Sequence, residues 1–258
     1  MAAKDPTKPR KPRARKAAAE APPPTPAPPR LRRRILRWTA RAFLGLANLA
    51  LALILLYSLV NPPTNLYQVS ESARLGGIQQ DWVGWDDIAP VMARSVVAAE
   101  DANFCLHWGF DMAAIRAAMD DGANRGASTL TQQVVKNVFL WQSRSWVRKA
   151  IEAAMTPAVE LVWSKRRILE VYMNVAEFGE GIFGVQAAAQ HFFGIDAADL
   201  SATQAARLAA VLPDPKGRSP VKPGPFTRKR TAQIIQGAET ILQDGRAACF
   251  EGQGPSRS

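Results

Sequence analysis

The clearest pattern along the chain is Ala42 to Val60, nineteen consecutive residues without a charge. At roughly 1.5 Å per residue, a helix of that length reaches about 28 Å, close to the ~30 Å hydrocarbon core of a bilayer. A core helix of a globular domain carries an apolar stripe, whereas this segment is apolar on every face. The run exceeds the roughly 7–15 residues of a signal-peptide core. It also closes in Tyr57-Ser-Leu-Val-Asn-Pro-Pro63, with no small-residue cleavage site. The pattern therefore predicts an uncleaved signal anchor. Arg32, Arg33, Arg34, Arg37 and Arg41 precede it, and no Lys or Arg follows until Arg74. The positive-inside bias then places the N-terminus in the cytoplasm and the rest of the chain outside. Trp38 and Tyr57 stand where interfacial aromatic anchors are expected.

Beyond the anchor the period changes to that of amphipathic helices. Pro90 suits a first-turn position and opens the run Val91 to Ala99, which delivers Glu100 at its end. Ser201-Ala-Thr-Gln204 has the form of a capping box before an alanine-rich helix, and Pro213-Asp-Pro215 stops that helix. A last helix is predicted over Thr227 to Leu242. No run alternates as hairpin strands do. In a helix over Thr129 to Leu140, the residues Thr129, Gln132, Gln133 and Lys136 fall at i, i+3, i+4 and i+7 and share one face. An ordinary solvated face would carry Glu and Lys. Short amides and hydroxyls with one Lys suit sugar hydroxyls and phosphate oxygens equally well, and periodicity leaves both readings open.

The predicted organisation is a basic, proline-rich cytoplasmic tail over 1–34 and a transmembrane anchor over 35–60. A juxtamembrane linker over 61–80 leads to a helical domain over 81–245 and a disordered C-terminus over 246–258. Composition supports the division. The net charge is +11, yet residues 1–41 hold 13 Lys and Arg against Asp5 and Glu20, and the remainder balances. The high basicity thus belongs to a tail, and a tail followed at once by a membrane anchor argues against nucleic acid as the partner. Cys105 and Cys249 are too few to imply a bridge, and no metal-ligand spacing is present.

Within the domain the charge becomes one-sided once. From Arg125 to Arg167 there are eight basic residues, Arg125, Lys136, Arg144, Arg148, Lys149, Lys165, Arg166 and Arg167, against Glu152 and Glu160. Such a strip suits a pyrophosphate, which needs several donors and compensating charge, although about half of these residues are expected to be plain surface groups. Arg148 and Glu152 stand at i, i+4. That spacing fits a helix ion pair contributing a few tenths of a kcal/mol, or a second carboxylate held among cations.

Four segments carry a resemblance. Glu100-Asp-Ala-Asn-Phe-Cys-Leu-His-Trp-Gly-Phe-Asp111, Gly126-Ala-Ser-Thr-Leu-Thr-Gln-Gln133, Arg148-Lys-Ala-Ile-Glu152 and Ile168-Leu-Glu-Val-Tyr-Met-Asn174 occur in this order. They resemble the motifs of the peptidoglycan glycosyltransferases, the family that includes the glycosyltransferase domain of bifunctional penicillin-binding proteins. The match runs from about Asp81 to Pro220. With too few residues after Ser219-Pro-Val-Lys222 for a transpeptidase domain, it points to the monofunctional transglycosylases. Cys105 occupies a position that the motif leaves open.

The resemblance implies a mainly α, lysozyme-like, two-lobed helical domain behind a single N-terminal transmembrane helix, in the bacterial inner membrane with the domain periplasmic. It implies polymerisation of lipid II into β-1,4-linked glycan strands, with inversion and release of undecaprenyl pyrophosphate, and sensitivity to moenomycin. Glu100 then resembles the general base and Glu152 the second catalytic carboxylate. Asp101, Ser128, Thr129, Gln132, Gln133, Lys136, Asn137, Arg144, Arg148 and Lys149 resemble substrate-binding positions. Glu170 and Asn174 read as structural, and His107 as an orienting group. The expected partners are lipid II, the growing lipid-linked strand and, among proteins, those of cell-wall synthesis or division. No tightly bound cofactor is expected; a Mg2+ or Mn2+ ion on the substrate pyrophosphate is the alternative. A lysozyme-like hydrolase and a non-catalytic membrane scaffold are the competing readings. The first has no need of the cationic strip, and the second has none of paired carboxylates.

Overall fold

A computed structural model describes residues 30–120, 128–143 and 145–252, and the chain falls into two units, residues 1–45 and 46–258. The described part of the first unit is wholly helical. It begins helix α1, Arg30–Tyr57, which continues into the second. The side chains of Ile35, Leu36, Trp38, Phe43 and Leu44 are all exposed. An apolar helix surface with no protein cover is what a bilayer, and not a core, accounts for.

The second unit is mainly helical, as the sequence predicts. The end of α1 is held by α6 (Trp146–Val162) and α7 (Lys165–Val175). Ile54 is buried, and its carbonyl accepts a hydrogen bond from Trp163 Nε1 just after α6 at 2.7 Å. Arg167 of α7 donates to the carbonyls of Tyr57 and Val60 at 3.1 and 3.0 Å. α7 lies in the centre, with Ile168, Leu169, Val171, Tyr172 and Met173 buried, and α5 (Leu130–Phe139) packs on both α6 and α7 through Val134, Val135 and Val138.

A second group joins α3 (Pro90–Glu100), α9 (Ala202–Val211) and α10 (Pro225–Gln243). Ala98, Ala206, Ala209 and Ala210 let these helices approach closely, and a Cβ at Gly237 would stand 3.1 Å from that of Ala98. α4 (Met112–Asp120) and α8 (Val185–Phe193) complete the longer helices.

Two boundaries differ from expectation. Residues 61–80 are not a bare linker. They contain α2 (Leu66–Leu75), opened by an Asn65–Gln68 capping box and closed by Gly76, and then β1 (Gln79–Gln80). β1 pairs in parallel with β3 (Ile182–Phe183), which pairs antiparallel with β2 (Glu177–Gly179), in the order β1-β3-β2. Strands this short leave no period to read. Residues 246–252, expected to be disordered, are structured: α11 (Ala248–Glu251) buries Phe250, and Cys249 is disulfide-bonded to Cys105.

Candidate functional site

The predicted polar face of α5 forms, and its four members divide between scaffold and cleft. Thr129 is the N-cap. Its hydroxyl donates to the Gly109 carbonyl at 2.7 Å and accepts from Gln132 N, while Gln132 Oε1 accepts from Thr129 N at 3.0 Å. This reciprocal cap satisfies two amides that the first helical turn leaves free. Gly109 has φ +82, and a Cβ there would stand 2.6 Å from Thr156 Cγ2, so the motif needs glycine at this turn. Asp101 is equally structural. One carboxylate oxygen accepts from Leu130 N at 3.0 Å, at the positive end of α5, and the other meets His107 Nε2 at 2.8 Å. Asp101 and Thr129, both expected as substrate-binding, are buried and help build the turn that carries α5; Gln132 shares in that cap while also edging the cleft.

Glu100 closes α3 and faces α5. Gln133 Nε2 donates to Glu100 Oε2 at 3.0 Å, and Tyr172 OH donates to Gln133 Oε1 at 3.3 Å, so the amide orientation is fixed from behind. Glu100 Oε1 is buried and has no hydrogen-bond partner. Burial pushes the carboxyl above its usual range; the Gln133 bond and the charges of Arg230 and Lys136 oppose this. Burial likewise holds the Tyr172 hydroxyl protonated, well above its ordinary value. A pocket of about 500 Å³ opens on Glu100, walled by Lys136, Pro213, Phe226 and Arg230 among others. Arg230 Nη2 donates to the Ala99 carbonyl at 2.8 Å, yet its Nε is also buried without a partner. Two unsatisfied groups of opposite sign on one pocket are what a ligand would complete.

Glu152 sits in a different environment. Its side chain is 3% exposed and lies between Arg148 Nη1, at 2.5 Å, and Lys149 Nζ, which also donates to Ser128 Oγ at 3.1 Å. Arg148 Nε is held by the Ser143 carbonyl at 2.7 Å. These groups, with Gln142 and Lys136, line a second cavity of about 530 Å³. Lys136 stands on the wall of both cavities. Burial lowers its pKa, Glu152 raises it, and Arg148 and Lys149 lower it further. Lys136, Arg148 and Lys149 face a single carboxylate, so the cavity wall carries excess positive charge. Asn137 accepts from Gln142 Nε2 at 3.0 Å and faces a third groove with Tyr67, Glu177 and Lys216. Arg144 and Arg125 lie outside the described residues.

The rest of the basic strip is structural. Lys165 pairs with Glu160 at 2.9 Å, Arg166 with Asp86 at 2.6 Å, and Arg167 ties down the end of α1. Asn174 clamps both polar groups of the Val83 backbone, while Glu170 pairs with Arg167. Sequence reasoning missed Phe226 and Arg230. A signal was there: Lys216 to Arg230 contains six basic residues and no acidic one. Among the described residues, no group of three or more His, Cys, Asp or Glu is placed to hold a metal ion.

Residues 68–239 match the model of a family described as Transglycosylase. The chain is 61% identical over 214 residues to a biosynthetic peptidoglycan transglycosylase of Jannaschia sp. (strain CCS1), covering 83% of this chain and 90% of that protein. It is 49% identical over 226 residues to one of Xanthomonas oryzae pv. oryzae (strain KACC10331 / KXO85), covering 83% and 92%. Against one of Rhodospirillum centenum (strain ATCC 51521 / SW) the identity is 47% over 222 residues, covering 84% and 96%.

Proposed function

This chain belongs to the transglycosylase family and is a peptidoglycan glycosyltransferase; from that premise we propose that it polymerises lipid II, with Glu100 as general base and Glu152 as the keeper of a pyrophosphate-binding cation cluster. The observation that carries the reading is the unpartnered, buried Oε1 of Glu100, one lysine away from a cavity with excess positive charge. Glu100 takes the proton of the acceptor sugar's 4-hydroxyl. The oxygen attacks the donor anomeric carbon, and the bond from that carbon to the pyrophosphate breaks with inversion. Negative charge grows on the departing pyrophosphate, where Lys136, Arg148 and Lys149 already stand, with Ser128 and Gln142 as neutral donors. Glu152 keeps two of those cations in place. Two carboxylates with separate tasks are what inverting glycosyl transfer requires. The acceptor lies on the opposite side of Glu100, over Phe226 and within reach of Arg230. A Mg2+ or Mn2+ ion, where one takes part, rides on the substrate pyrophosphate.

The placement in the cell follows the same logic. The helix of residues 32–57 is long and apolar enough to cross a membrane. Trp146 is 90% exposed, and Val147 and Trp141 are exposed beside the cation cavity, where the polyprenyl chain of a donor would meet the bilayer. The Cys105–Cys249 bond fits an oxidising compartment, which supports reading the domain as periplasmic and the tail as cytoplasmic. Incubating the full chain with labelled lipid II tests the proposal: glycan polymer and undecaprenyl pyrophosphate are expected. Cleaved fragments of preformed glycan, with lipid II untouched, would make it a hydrolase instead.

A further inference from the structure

The family match ends at residue 239, and the chain goes on to build a strap behind Glu100. After α10 it turns at Gly245, and Arg246 Nη1 donates to the Ala102 carbonyl at 2.9 Å. Cys249 is bonded to Cys105, and Glu251 pairs with Arg94 at 2.8 Å, both side chains largely covered. Phe250 is 1% exposed, its ring edge on Trp85 with centroids 6.2 Å apart. These contacts fall on both sides of Glu100: Arg94 belongs to α3, while Ala102 and Cys105 belong to the irregular segment that follows it. The front of that segment is fixed by Asp101 on Leu130 N, and the strap fixes its back.

We propose that the Cys105–Cys249 strap is a positioning element for Glu100, so that a thiol reductant slows glycosyl transfer by releasing it. The proposal rests on the reading of Glu100 as the base. A helix-terminal carboxylate is only as well placed as the turn that follows it, and a displacement of ~1 Å at a reacting group can lower a rate by as much as about 10²-fold. The charged and titratable groups facing Glu100 are Asp101 on its own segment, Lys136 on α5, Tyr172 on α7 and Arg230 on α10. None is on the strap. The strap therefore acts through position and water exclusion, not through charge. Cys249 is exposed and open to a small reductant. The sulfur–sulfur bond takes two electrons and two protons from a dithiol, which closes to its own cyclic disulfide and leaves thiols at 105 and 249.

The test uses the full chain in detergent with lipid II, oxidised and after dithiothreitol, beside Cys249→Ser and Arg246→Ala, with a thermal melt of each. We expect reduction and Cys249→Ser to lower kcat roughly ten-fold with little change in KM. The acid limb of the pH profile should move to lower pH as water reaches Oε1. Reoxidation should restore the native chain, and dithiothreitol should leave Cys249→Ser unchanged. Arg246→Ala, which keeps the bond, should show a smaller fall in the same direction. A folded, reduced protein with unchanged kcat and acid limb overturns the proposal. So does reduced protein that is unfolded at the assay temperature, since the bond is then a folding clamp. Glu100→Gln separates the two readings: if it is inactive while the reduced native protein is unaffected, only the strap fails, and if it turns over normally the base assignment fails.

Discussion

Glu100 and Glu152 are the same side chain in opposite settings. Glu152 lies against Arg148 and Lys149, with both oxygens occupied. Glu100 has one oxygen on a neutral amide and the other on nothing. A buried carboxylate with a cation on each oxygen lends order to those cations. A buried carboxylate without a cation seeks a proton. The difference supports the proposed division of tasks without any appeal to motif, with the unsatisfied carboxylate as the base and the satisfied one as the keeper of the cation cluster.

The strongest way to break this comparison is Glu100→Gln, which keeps the size and the Gln133 contact. Lipid II polymerisation should fall at least ~10²-fold in the purified variant. Its thermal midpoint near neutral pH should rise. The pKa of Glu100 is higher in the folded protein than in an unfolded chain, so its ionised form weakens the fold as pH rises through the folded value, and the amide removes that penalty. Loss of activity with a lowered midpoint would point to damage and not to a missing base.

A smaller effect is expected on the other side. Lys149→Ala removes one of the two cations on Glu152 and the contact to Ser128. Charge-assisted hydrogen bonds contribute roughly 1.5–3 kcal/mol, so kcat/KM for lipid II should drop about 10- to 150-fold. An equal loss for a neutral chromogenic glycoside would show that the cluster serves something other than pyrophosphate. The comparison is sharpened further at Arg230 and its neighbour. Arg230→Ala should raise KM for lipid II about ten-fold, as loss of one such bond does. Lys229→Ala, exposed on the same helix, should change it less than about two-fold. Matching effects would remove Arg230 from the site.

How much of this was legible beforehand depended on whether a role is local or distant. The face of α5 follows from a period of 3.6, and Lys136 and Gln133 reach the cleft as that period requires. The inward roles of Asp101 and Thr129 were hidden, because whether a hydroxyl or carboxylate caps or binds depends on partners that only folding brings close. Arg230 arrives from α10, far along the chain from Glu100, and the second basic run that contains it was masked by the overall charge balance of the domain. The C-terminal strap was read as disorder since a one-turn helix carries no period and two cysteines declare no pairing. Its order comes from Phe250 in the core and the bond to Cys105.

The most direct test of the division between the two carboxylates is the pH dependence of single-turnover glycosyl transfer from lipid II in the native chain, Glu152→Gln and Glu100→Gln. The native profile should rise through an acid limb above the ordinary carboxylate range, as the raised pKa of Glu100 dictates, and fall on an alkaline limb below the ordinary lysine value as Lys136 loses its proton. Glu152→Gln should be slower but keep the acid limb, whereas the residual rate of Glu100→Gln should have none. An acid limb that survives in Glu100→Gln and disappears in Glu152→Gln would contradict the account.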